Sequence, residues 1–123
     1  MLSDEDAMER ITVYHNPACG NSRGALELLR ARDVEFDIIE YLKEHPTRER
    51  LEKIIGMLEG PVADLVRKDK RFKELGLNPA DYADKKSVVA ILLEHPELMQ
   101  RPIVIHGKRA IIARPPEKLE ALL

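Results

Sequence analysis

The stretch Ile11-Thr12-Val13-Tyr14-His15-Asn16-Pro17-Ala18-Cys19-Gly20-Asn21-Ser22-Arg23, continued by Gly24-Ala25-Leu26-Glu27-Leu28-Leu29, decides how the chain is read. Ile11 to Tyr14 alternate apolar with polar or amphipathic residues and are rich in β-branched types, the pattern of a strand, and Asn16-Pro17 stops it in a turn. From Ser22 onward, Ala25, Leu26, Leu28 and Leu29 form an apolar stripe at helical spacing. Asp33 then introduces a second β-rich run, Val34 to Leu42. Strand, helix and strand of these lengths predict a right-handed parallel unit with the strand-to-helix loop at the carboxyl end of the sheet. That loop holds Cys19, the single cysteine of the chain.

Further along, Leu51, Ile54, Ile55 and Leu58 occupy i, i+3, i+4 and i+7 of a helix that begins at Thr47 behind Pro46 and is ended by Gly60-Pro61. A short helical stretch to about Arg67 follows, then a charged connector from Lys68 to Lys73. A further helix is predicted from about Asp84 to Glu94, with Val88, Val89, Ile91, Leu92 and Leu93, closed by Pro96. The period then drops to two. Ile103-Val104-Ile105 and Ala110-Ile111-Ile112 flank His106-Gly107-Lys108-Arg109, where Gly107 can take the positive φ of a type II′ hairpin turn. Pro115-Pro116 and Glu117 open a terminal helix with Leu119, Leu122 and Leu123 on one side. The order is β-α-β, a helical lobe at about 47–95, then β-β-α. An α/β fold with a mixed four-stranded sheet and flanking helices is the thioredoxin-like plan. Residues 11–123 are expected to make this single domain, and 1–10, acidic and aperiodic, a disordered extension outside it.

Composition narrows the function. The 123 residues carry 20 Lys and Arg against 22 Asp and Glu, a net charge of -2, so no global field favours nucleic acid or an anionic membrane. No apolar run is long enough to span a bilayer, and the start, MLSDEDAMER, is acidic where a signal peptide carries positive charge. A cytoplasmic protein is expected. One cysteine excludes an internal disulfide framework and a multi-cysteine zinc site, and no metal site is expected.

Cys19 is therefore either a small apolar filler or a reactive thiol. Its place between Pro17 and Gly20 in a polar loop leaves little apolar surface to fill. The first amides of a helix have no internal acceptor and carry partial positive charge, so they stabilise a thiolate and also hold an oxyanion. His15 is expected to lower the thiol pKa by charge or hydrogen bonding, Gly20 to let the backbone approach, and Asn21, Ser22 and Arg23 to add donors. A dithiol motif would need a second cysteine at Ser22, and a phosphatase-type loop an arginine at Ala25. Neither is present, so a mixed disulfide on Cys19 requires an outside thiol to resolve it. Arg101 and Arg114 flank the predicted hairpin and can meet at one sheet edge, while Arg67 lies in the lobe. Alternatively, each is a solvated surface charge. His45, His95 and His106 are assigned no role.

The strings ITVYHNPACGNSR and LVRKDKRFKELGL, Arg101-Pro102-Ile103 and Arg114-Pro115-Pro116-Glu117 resemble, in order and spacing, the glutaredoxin-coupled arsenate reductase (ArsC) family from about residue 11 to the end. In closing on one short helix after Arg114 the chain is similar to the shorter chromosomal members. The resemblance implies a nucleophile at Cys19 assisted by His15 and Ser22, and arsenate held by Arg67, Arg101 and Arg114 with Gly20 and Asn21. It also implies a cis bond before Pro102, glutathione as co-substrate and glutaredoxin as partner, with no bound cofactor. The competing readings are a redox-responsive regulator that binds RNA polymerase and a glutathione-dependent reductase of another oxyanion or of protein mixed disulfides.

Overall fold

The computed structural model describes residues 10–123. The expectation for the acidic segment lies outside the described residues except at Arg10. That residue is tied to the sheet instead of trailing from it, its guanidinium gripping Asp37 (2.6 Å) and Glu35 (3.2 Å).

Strand β1 (Ile11–His15) leads into helix α1 (Gly20–Ala31) and strand β2 (Phe36–Glu40). β1 and β2 pair in parallel, from Ile11 opposite Phe36 to His15 opposite Glu40. Strands β3 (Ile103–His106) and β4 (Arg109–Ile112) form the hairpin, and β3 runs antiparallel to β1, giving the order β2-β1-β3-β4. Gly107 has φ 64° while Lys108 is not in the positive-φ region, as a II′ turn requires. The fold is thioredoxin-like, as its pattern of elements predicts.

Side chains alternate across the sheet, so each face carries its own core. Ile11, Val13, Val104 and Ile111 pack with Ala25, Leu26 and Leu29 of α1 and with Leu119 and Leu122. Tyr14, Ile103, Ile105 and Ala110 pack on the other face against the helical lobe. The lobe contains α2 (Arg48–Met57), α3 (Lys70–Glu74) and α4 (Lys85–Glu94), capped by the side chains of Thr47, Asp69 and Asp84 respectively.

Four local expectations are corrected. β2 is shorter than Val34 to Leu42: Asp33 takes a left-handed φ of 54° at the end of α1, and Tyr41 turns wholly into the core. The supposed connector Lys68 to Lys73 contains the start of α3, because a single aromatic, Phe72, is enough to anchor a capped turn, packing edge-to-face on Tyr82 with centroids 5.8 Å apart. The stretch before Arg67 is a 3₁₀ turn, Val62–Leu65, followed by extended backbone at Val66. The terminal helix is also 3₁₀ (Pro116–Leu122); its three-residue period stacks Leu119 on Leu122 and leaves Leu123 exposed.

Gly24 sits where α1 meets this terminal turn, and a Cβ there would lie 2.9 Å from the Pro116 ring. Gly56 of α2 has open space around it. Gly24→Ala is therefore expected to cost about 1–3 kcal/mol despite better helix propensity, and Gly56→Ala to gain up to about 1 kcal/mol. Urea unfolding of the pair checks this, and equal gains in both would remove the Pro116 contact as a constraint.

Candidate active site

Strand register brings the site together. Tyr14 lies opposite Ile103, and Ile103 opposite Ile112, so the chain leaving β1, the chain entering β3 and the chain leaving β4 share one end of the sheet. Those three segments carry Cys19, Arg101 and Arg114. The backbone bonds before Pro102 and before Pro115 are both cis; the second has no counterpart in the expectations from sequence. Arg67 arrives from the lobe: Val66 bridges Met99, the Arg67 amide donates to Leu98 O, and Gln100 N donates to Leu65 O.

These groups line a cleft of about 410 Å³ formed by Ala18, Cys19, Gly20, Asn21, Arg67, Arg101 and Arg114. Cys19 is the N-cap of α1, with extended backbone (φ -97°, ψ 124°). The loop before it is braced by Asn16, since Cys19 N donates to Asn16 O and Ala18 N to Asn16 Oδ1, both at 3.0 Å. Arg114 Nη1 lies 3.7 Å from Cys19 Sγ and donates to Arg101 O at 2.9 Å.

Burial is the largest single influence on the thiol and pushes its pKa up. The amide of Ser22, the Arg101 guanidinium, the amide of Asn21 and Arg114 together outweigh it, bringing the pKa down to about 7. The sulfur therefore ionises near neutral pH, facing a cleft lined by three guanidinium groups. The arrangement suits attack on a small tetrahedral oxyanion, with forked donors to hold its oxygens.

Two assignments change in character. His15 is buried, and burial lowers its pKa below the usual imidazole value, which disfavours the charged form, one of the two ways in which it was expected to act on the thiol. Its Nδ1 is buried without a hydrogen bond, and it does not line the cleft. Ser22 is wholly buried, and its hydroxyl accepts from Asn16 N (3.3 Å); it acts on the sulfur through its amide. Asn16, whose side chain and carbonyl shape the loop, was read only as a turn signal, although asparagine before proline is itself a loop-bracing pattern. Tyr41, fully buried with its hydroxyl near Asn16 and Arg101, was hidden inside the predicted second strand. Among the described residues no group of histidine, cysteine or carboxylate side chains is placed to hold a metal ion. No helix among them is long and apolar enough to cross a membrane.

A lone thiolate at a helix start, opposite paired arginines on a thioredoxin-like sheet, defines a single-cysteine thiol chemistry site. The ArsC family model matches residues 14–122. An arsenate reductase of Escherichia coli (strain K12) is 40% identical over 117 residues, covering 94% of this chain and 82% of that one. An arsenate reductase of Neisseria meningitidis serogroup A is 36% identical over 118 residues, covering 94% of this chain and all of that one. The solved arsenate reductase from Vibrio cholerae superposes with a TM-score of 0.83 at 33% identity, over 94% of this chain and 98% of that one. The chain belongs to the ArsC family.

The rate of Cys19 alkylation by iodoacetamide should rise through a midpoint at about pH 7 and then level off. Arg114→Ala should move the midpoint upward, because burial then acts against one fewer donor. A midpoint unchanged by that substitution would show that the guanidinium does not act on the sulfur.

Proposed function

We propose that the protein reduces arsenate to arsenite, with Cys19 as the nucleophile. The observation that carries this reading is the Arg114 guanidinium 3.7 Å from a thiol whose pKa is about 7, in a cleft shared with Arg67 and Arg101. The Cys19 thiolate attacks arsenic(V), and an arsenic-bound hydroxyl leaves as hydroxide, taking a proton to become water. The resulting thiol-arsenate adduct keeps its negative oxygens against the arginines and the Gly20 and Asn21 amides.

The chain has no second thiol, so the electrons come from outside. Glutathione thiolate attacks the Cys19 sulfur; the S–As bond breaks with its electron pair on arsenic, which leaves as arsenite. A glutathione mixed disulfide remains on Cys19. Glutaredoxin, or a similar thiol donor, attacks the glutathione sulfur and releases the Cys19 thiolate. No bound cofactor is needed, and the cycle belongs in a thiol-reducing compartment such as the cytoplasm.

Cys19→Ser should abolish arsenate reduction and leave the circular dichroism spectrum unchanged; activity surviving in that variant sinks the assignment. Arg101→Lys keeps charge but loses the planar fork, and is expected to lower kcat/KM by about tenfold or more. Turnover should require glutathione together with glutaredoxin. Equal turnover with either omitted would remove that donor from the cycle.

A further inference from the structure

Of the three arginines in the cleft, Arg67 is the one with a carboxylate on it. Asp69 Oδ2 lies 3.0 Å from Arg67 Nε, with both side chains about 30% exposed (28% and 30%). Asp69 Oδ1 meanwhile accepts from Phe72 N at 3.3 Å and caps α3. Arg101 and Arg114, by contrast, engage backbone carbonyls and the thiol, and neither is in an ion pair among the described residues. Among the described residues, the guanidinium groups of Arg67, Arg101 and Arg114 and the Cys19 thiol line the cleft, and the Asp69 carboxylate stands on the first of these arginines. Asp69 works against an incoming oxyanion and takes no part in nucleophilic attack.

We propose that Asp69 is a positioning residue that acts through Arg67 as a built-in competitor for the oxyanion, setting how tightly the cleft holds its anion. Resting on the reading of the Cys19 cleft as an oxyanion site, this adds a control on affinity. The cap on α3 fixes where the carboxylate stands, so the competition is built into the fold. Its effect falls on anions in general, since a unit negative charge paired with one of the site's guanidinium groups opposes sulfate and phosphate as it opposes arsenate. The advantage is chemical: a weaker hold on abundant, unreactive oxyanions leaves the thiolate accessible.

Asparagine and serine both serve as N-caps, so Asp69→Asn and Asp69→Ser remove the charge while keeping the turn. The test is protection of Cys19 from iodoacetamide by sulfate and, separately, by inorganic phosphate, in the full chain at a fixed pH above 8. Each variant is expected to lower the half-protecting concentration of both anions by about three- to tenfold. In the arsenate assay KM should fall by a similar factor without a rise in kcat, a split that a merely structural role does not produce. Half-protecting concentrations that are unchanged or raised in both variants overturn the proposal, a rise meaning that Asp69 orients Arg67 for the anion. Should the wild-type protein show no arsenate reduction while the variants still tighten sulfate, the activity reading falls and the role of Asp69 stands.

Discussion

Arg114 reaches across the end of the sheet and holds two things with one nitrogen: the carbonyl of Arg101 at 2.9 Å and the sulfur of Cys19 at 3.7 Å. The first contact ties together the two ends of the β3-β4 hairpin. The second ties the hairpin to the start of α1. A partly buried thiol without such donors stays protonated near neutrality, because burial disfavours its charged form. The site therefore depends on bringing cationic and amide donors from three separate segments to within reach of one atom.

The fold meets that demand by placing a core on each side of the sheet. Ala25, Leu26 and Leu29 fix α1 to one face, which sets where its first amides point. On the opposite face Leu51, Ile54, Leu92 and Met99 anchor the lobe, which brings the Val66–Met99 bridge and hence Arg67 to the same end of the sheet. The loop between β1 and α1 is held by hydrogen bonds among its own members, Cys19 N donating to Asn16 O and Asn16 N to Ser22 Oγ. Preorganisation of this kind avoids reordering donors as negative charge develops.

Much of this was legible because it is local. The period of Ile11–Tyr14, the stripe of α1 and the Ile103–Ile112 hairpin are patterns that repeat within a few residues. α3 was missed because its apolar content is Phe72 followed only by Leu75, too little for a periodic signal; the contact that stabilises it, Tyr82, lies outside the segment. The charge state of His15 was not legible for a related reason. A histidine four residues before a cysteine reads as a nearby charge, but it stands on a strand whose side chains alternate between faces, and burial disfavours its charged form. Asp69, next to a run of basic residues, reads as one more surface charge until its distance to Arg67 is known.

What the sequence by itself determined is the chemistry available: one thiol at the start of a helix, no second cysteine, and arginines just before two prolines. Those follow from residue identity and short-range backbone preferences, which act over a turn or a strand. What only the tertiary structure decided is which charges act on that thiol. Electrostatic influence depends on distance and burial, and both are set by strand register and by the packing of two cores, where residues 95 positions apart come to share one sulfur.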